Sequence, residues 1–238
     1  MRLLITRPKL DAQHIAALLR SRGHEVIVAP LLRIEPIAAD FGSGRWDAVV
    51  TTSANSCRAL AEHPRRNELT ALPIFAVGAR SAEAARASGF ADVTSADGDA
   101  KDLARLLTER FVGRDRRLLY LAGEDRAADL AAELASQGVA MKTVVIYRAV
   151  KVTEFPPPAR EALQAGQIDG VLHFSRRSAE AFLICAESGK CLEAALAAFH
   201  YCLSPHVARP LLQAGAASLR VAARPDEAAM IELVGAAG

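Results

Sequence analysis

Five short stretches of this chain place small hydroxyl-bearing or glycine residues where an apolar run stops. They are "TTSAN" (51–55), "VGARS" (77–81), "LAGED" (121–125), "HFSRR" (173–177) and "LSPHV" (203–207). Each is expected to close a strand and open a helix. Small residues leave backbone N–H groups accessible, and the positive end of a helix favours an anion. Ser53, Ala54, Asn55, Gly78, Arg80, Ser81, Gly123, Ser175, Arg176, Ser178, Ser204, Pro205 and His206 are the candidate binding residues of these turns. If two lobes turn these strand ends toward a shared cleft, several modest anion sockets suit a flexible ligand with many carboxylates. Ser53 and Ser175 are explained equally well as helix N-caps. Arg7, Arg80, Arg148, Arg176 and Arg177 lie at strand ends, where a guanidinium has better odds of meeting an anion than on open surface. His173 lies inside a strand pattern and reads as a satisfied histidine. His206, near a helix start, is expected to be neutral.

A different chemistry is offered by "VVIYRAV" (144–150). Its β-branched, unalternating start fits a strand covered on both faces. Tyr147, one of only three tyrosines, breaks that pattern. A phenol with a pKa of about 10 stays protonated at neutral pH and can donate to a departing oxygen. The competing reading is an amphipathic strand-end aromatic with a wet hydroxyl.

Other chemistries find no residues. "VGARSA" lacks the GxGxxG spacing, and there is no GxxxxGK[ST] loop, HExxH or GxSxG elbow. The four cysteines, Cys57, Cys185, Cys191 and Cys202, form no CxxC pair, so reduced thiols are expected, not a zinc site or disulfide framework. With 29 basic residues against 27 acidic and no long basic run, nucleic acid is not an expected partner. The chain is 51% hydrophobic and 24% charged, which marks a globular protein. No stretch approaches the ~18 apolar residues of a membrane span. A cytoplasmic monomer without membrane contact is expected.

The elements that must position these residues follow from the pattern. Short apolar runs alternate with alanine-rich helical segments, which predicts α/β structure with parallel sheets covered on both faces. Gly23, Gly89, Gly138 and Gly215 fall where helices should end in a left-handed cap. Internal similarity refines this picture. Residues 3–23 align with 118–138, 47–60 with 169–182, and 75–89 with 201–215. The order is X, Y, X′, Y′, a duplication giving two lobes of about five strands each. Pairing X with Y would give sequential domains, and pairing X with Y′ an interleaved pair. The proline-bearing extended segments "PLLRIEPIAAD" and "YRAVKVTEFPPPAR" favour interleaving through a double-stranded connection.

In order and spacing, "ITRP" (5–8), "GHEVIVAPLLRIEP" (23–36), "DAVVTTSANSCRAL", "IFAVGARSAEAARASG", "GVAMKTVVIYRAV" (138–150) and "DGVLHFSRRSAEAF" resemble the uroporphyrinogen-III synthase family of tetrapyrrole biosynthesis over nearly the whole chain. The resemblance implies a discontinuous domain of residues 1–33 with 153–238, an inserted domain of 38–147, linkers at 34–37 and 148–152, and a ligand cleft between lobes. It implies hydroxymethylbilane as substrate, uroporphyrinogen III as product, loss of water, inversion of ring D and no cofactor. Tyr147 matches the family's tyrosine thought to help the hydroxyl leave. Thr6, Arg7, Ser53, Gly78, Ser81, Gly123 and Ser175 match cleft positions. Where the family usually reads G-P-x-T-A, this chain has Ser204-Pro205-His206-Val207-Ala208, so a hydroxyl contact is lost there unless Ser204 or His206 substitutes. Two other functions are open to the same sockets. One is a non-catalytic two-lobed module for tetrapyrrole or another polyanion, which needs no acid. The other is an enzyme on a phosphorylated sugar, which needs a stronger base or nucleophile than these turns supply.

Overall fold

The computed structural model describes residues 1–125 and 129–235, the side chains of Leu10 and Asp11 excepted. The first elements are β1 (Arg2–Ile5), α1 (Lys9–Ser21), β2 (Glu25–Val28) and β3 (Leu32–Pro36). Next come β4 (Ala48–Thr51), α2 (Ala54–Leu60), α3 (Arg66–Thr70), β5 (Ile74–Ala76), α4 (Ala79–Ala87) and β6 (Val93–Ser95). The middle of the chain forms α5 (Ala100–Phe111), β7 (Leu118–Gly123), α6 (Leu130–Ser136) and β8 (Met141–Lys151). The remainder is α7 (Pro157–Gln164), β9 (Gly170–His173), α8 (Arg176–Ser188), α9 (Leu192–Ala197), β10 (Phe199–Cys202), α10 (Pro205–Gln213), β11 (Leu219–Val221) and α11 (Glu227–Gly235).

The chain divides into two compact units, 1–33 with 150–238 and 34–149. The first holds a five-stranded sheet in the order β11-β10-β9-β1-β2, with parallel pairing throughout. Alternation along its strands feeds two cores. Leu4, Val171 and Cys202 face Phe182, Ala159 and Leu211 of α8, α7 and α10. Leu3, Ile5, Leu172 and Tyr201 face Ile15 and Leu19 of α1 and Met230 of α11. A sheet buried on both faces explains why its strands read as unbroken apolar runs.

The second unit repeats the plan. Its sheet runs β3-β8-β7-β4-β5-β6. Val49, Ile74 and Leu119 pack on Leu60, Leu69 and Ala85 of α2, α3 and α4. Val50, Phe75 and Leu118 pack on Leu103 and Leu107 of α5 and Leu134 of α6. The strands β4 to β8 pair in parallel. The sixth strand, β3, corrects the expectation of about five. The two extended segments are hydrogen-bonded to each other: the Ile37 N–H donates to the Ile146 carbonyl at 2.8 Å, and the Val152 N–H to the Leu31 carbonyl at 3.1 Å. The opposed numbering makes this pair antiparallel. An extended chain with a neighbouring ladder satisfies its backbone by joining it.

The four cap glycines, Gly23, Gly89, Gly138 and Gly215, sit at φ of +84°, +100°, +78° and +93°. One expected turn differs. "LAGED" closes β7, but α6 begins only at Leu130, capped by the Asp129 carboxylate accepting from the Ala132 N–H. Residues 126–128 lie outside the described residues. Among those that are described, no helix is long and apolar enough to cross a membrane.

Candidate functional site

In the second unit, the candidate residues gather where adjacent strands β7, β4 and β5 end, and level with the end of β7 on β8. The turn after β4 is tied to itself. The buried Thr51 donates its hydroxyl to the Ser53 carbonyl at 3.0 Å. Ser53 is extended, and its Oγ accepts from the Asn55 N–H at 3.2 Å, capping α2, which Ala54 opens. The cap reading of Ser53 therefore holds, yet a hydroxyl that accepts one bond keeps its own proton to donate. The Asn55 side-chain carbonyl accepts from Arg58 at 2.9 Å. Ser56 is buried and donates to the Leu121 carbonyl at 2.8 Å, fixing α2 to β7. After β5, Gly78 occupies the N-cap of α4 with no capping side chain. Arg80 on the first turn is exposed and Ser81 is buried.

Tyr147 is not at the end of its strand, as the sequence suggested. β8 continues to Lys151 because its far portion pairs with β3. The neighbour β7, however, stops at Gly123, so Tyr147 lies level with the end of β7. The register slips just before it: Ala122 pairs with Val145, and Gly123 with Tyr147. Ile146 is the extra residue of a bulge. Its consequence is visible in the packing, since Val144, Ile146 and Tyr147 all contact the same core cluster. Strict alternation would turn Tyr147 to the opposite face.

In the first unit, the candidates stand at the ends of β10, β9 and β1. Thr6 is fully buried and donates its hydroxyl to the Leu172 carbonyl at 3.0 Å, joining β1 to β9. Arg7 pairs with Glu227 of α11 at 2.6 Å and lies 4.5 Å over the Phe174 ring. Both act within the unit. Ser175 caps α8, accepting from the Ser178 N–H at 3.1 Å, and its Oγ lies 2.9 Å from that of Ser178. Arg176 donates to Glu180 at 2.8 Å, and Glu180 also receives Lys151 at 2.5 Å. The Lys151 ammonium first, then Arg176, holds the Glu180 carboxyl below its usual range. Ser204 caps α10 through the Val207 N–H at 3.4 Å, Pro205 follows it in the first turn, and His206 is exposed. So where the family usually has glycine, the Ser204 hydroxyl serves the helix.

His173 is satisfied on one ring nitrogen only, which corrects the expectation: its Nδ1 is buried without a partner among the described residues. Its Nε2 lies 3.1 Å from Nδ1 of His200 on the neighbouring strand, and Phe182 packs edge-on to both rings. Burial pushes His173 well below its ordinary value and His200 down to about 4, so the pair is neutral at pH 7. Burial also raises Cys57 and Cys185 to about 11 and Cys202 to about 12. Protonated, enclosed thiols are poor nucleophiles. No cluster of three or more metal-ligating side chains occurs among the described residues.

The sequence reading passed over Glu180, Glu227 and the Thr52–Tyr120 pair, whose hydroxyls lie 2.7 Å apart. Glu180 was readable from its position four residues after Arg176 on a helix. Glu227 is 220 residues from Arg7 and leaves no local signal.

The class so defined is a chain of two α/β units, each a mainly parallel sheet between helices with Ser/Thr/Gly turns at its C-terminal edge. A family model described as uroporphyrinogen-III synthase HemD matches residues 13–232, and the chain belongs to that family. The solved uroporphyrinogen-III synthetase from Helicobacter pylori is similar in fold, with a TM-score of 0.69 and 19% identity over 100% of both chains. A mutant uroporphyrinogen III synthase from the extremely thermophilic bacterium Thermus thermophilus gives 0.50 and 19% over 100% of this chain and 98% of that one. No curated protein matches significantly.

Proposed function

We propose that this chain carries out the reaction of its family: cyclisation of hydroxymethylbilane to uroporphyrinogen III, with loss of water and inversion of ring D. The observation that carries this is the family match over residues 13–232. Tyr147 is the general acid. Its phenol proton goes to the hydroxymethyl oxygen as the carbon–oxygen bond breaks, giving water, a phenolate and an electrophilic protonated azafulvene. The substituted carbon of ring D attacks that carbon, and the resulting spiro intermediate fragments and recloses with the ring reversed. The proton that ring D later loses as it rearomatises restores the phenol. A positioned acid contributes about 10²–10⁴-fold. The remainder comes from holding the chain so that ring D attacks through its substituted carbon.

The substrate carboxylates meet the turns after β4, β5, β9 and β10, and β3 with β8 is the two-stranded linker. The protein works as a cytoplasmic monomer. Support for the acid comes from the half-buried setting of Tyr147 and its place level with the end of β7. Support for anion binding comes from Gly78, which leaves α4 without a capping side chain.

Hydroxymethylbilane left alone closes without inversion to uroporphyrinogen I. Incubation with the protein, oxidation and chromatographic separation of the isomers tests the proposal. Isomer III is expected. Isomer I alone, with folded protein, would leave the non-catalytic binding module, for which Tyr147 is dispensable.

A further inference from the structure

A methyl group built on Gly123 would lie 2.7 Å from both Cζ and Oη of Tyr147 and 3.1 Å from Cε2. The hydroxyl end of the phenol thus rests directly on the backbone at the end of β7. Gly123 has no positive φ in this structure. Its lack of a side chain is needed for room, not for backbone conformation. The bulge at Ile146 works with it, because it brings Tyr147 opposite Gly123. Bulges are uncommon in parallel pairs and characteristically re-aim a side chain. Past the slip the ladder resumes, the Glu124 N–H donating to the Tyr147 carbonyl at 2.9 Å. The backbone on both sides of the ring is therefore pinned.

We infer that Gly123 and the Ile146 bulge are a positioning device for the Tyr147 phenol, so that Gly123 acts on the reaction through the tyrosine and not as a contact for substrate carboxylate. The inference rests on Tyr147 being the acid. It gives Gly123 a role other than the substrate contact expected from the sequence. A phenol held on a glycine floor has its oxygen fixed by two strand backbones. A side chain on the floor swings the ring away, and a misplacement of about 1 Å costs on the order of 10²-fold in rate.

Two cycles with Gly123→Ala test it. In the first, kcat and KM for isomer III formation are measured for wild type, Gly123→Ala, Tyr147→Phe and the double variant. Gly123→Ala is expected to lower kcat by about 10–100-fold with KM little changed. Added to Tyr147→Phe, it is expected to cost little more, because the group it displaces is already gone. In the second cycle, melting is followed with Tyr147→Ala in place of Tyr147→Phe. Gly123→Ala lowers Tm by roughly 3–10 °C while the ring is present and by much less without it. A Gly123→Ala chain that folds only in the Tyr147→Ala background supports the contact equally.

A full kcat for Gly123→Ala would overturn the inference. So would a rise in KM alone, or an equal rate loss with and without the phenol. If Tyr147→Phe keeps the wild-type rate, the acid reading falls and takes this inference with it, even if the melting cycle still reports the contact.

Discussion

In the first unit Leu3, Leu4 and Ile5 pair with Val26, Ile27 and Val28; in the second Leu118, Leu119 and Tyr120 pair with Met141, Lys142 and Thr143. The internal alignment superimposes Leu3–Ile5 on Leu118–Tyr120, the same offset carried forward matches their partners, and the two sheets keep the same order of equivalent strands. The resemblance extends to single hydrogen bonds. Asp169 accepts from the Arg2 N–H at 2.6 Å, and its counterpart Asp47 from the Arg117 N–H at 2.8 Å. Ser175 and Ser53 both cap the helix that follows. Beyond the third ladder pair the units part. β2 ends at Val28, two residues before Pro30, which has no N–H to continue a ladder. The aligned position in the second unit is Val145, and β8 runs on through its bulge to Lys151. This longer strand carries the Tyr147 phenol, level with the end of β7. A duplicated scaffold supplies these turns twice, whereas the proposed acid, Tyr147, lies in the part that is not duplicated.

Three stability measurements sharpen the comparison, the largest expected effect first. The neutral pair His173–His200 belongs to the first unit alone, where the second has Thr51 and Ile74. Both folded-state values lie below the unfolded one of about 6.5, so the unfolded chain binds more protons and stability is lost as pH falls from about 6.5 toward 4. Each histidine contributes a slope of about 1.4 kcal/mol per pH unit over that window. Hydrogen exchange at pH 7 and 5 is expected to show protection lost in β9 and β10 before β4 and β5. His173→Leu with His200→Leu should flatten the slope; equal acid sensitivity in both sheets would count against the account.

Next come the caps. Ser53→Ala and Ser175→Ala should each lower stability by about 1 kcal/mol, and the glycine substitutions by only a few tenths. Chemical denaturation reads this directly. If a serine also touches substrate, its glycine variant raises KM at nearly unchanged stability; no KM change would leave it a cap only.

The smallest effect is at Asp47. The Arg117 N–H first, then the Arg116 guanidinium, hold its carboxyl below the ordinary range. Its contribution is therefore present above the unfolded carboxylate value of about 3.9 and disappears as pH falls through the lower folded value. Asp47→Asn, measured by denaturation at pH 7, should cost less than about 1 kcal/mol, because the arginine it meets is half-exposed. A larger loss than at the histidine pair would reverse the ranking.

Much of the fold was legible because burial on both faces writes strands as apolar runs, such as "GVLHFS" for β9 and "RLLYLAG" for β7. The interleaving hint lay in two proline-bearing segments, and these carry β3 and the far end of β8, which are neighbours in one sheet. At the site, the caps Ser53, Ser175 and Ser204 were readable from residue type. The partners of Arg7 and Thr6 were not, because Glu227 and Leu172 are distant in sequence. Nor was the slip at Ile146. Register is a property of two strands, and "VVIYRAV" shows only one of them.

The account stands most directly on Tyr147 as the proton donor. Single-turnover formation of uroporphyrinogen III from hydroxymethylbilane, compared between wild type and Tyr147→Phe, isolates that step. The expected result is a rate lower by about 10²–10⁴-fold in the variant, with the fold retained. Isomer III formed at the wild-type rate without the phenol oxygen would contradict it.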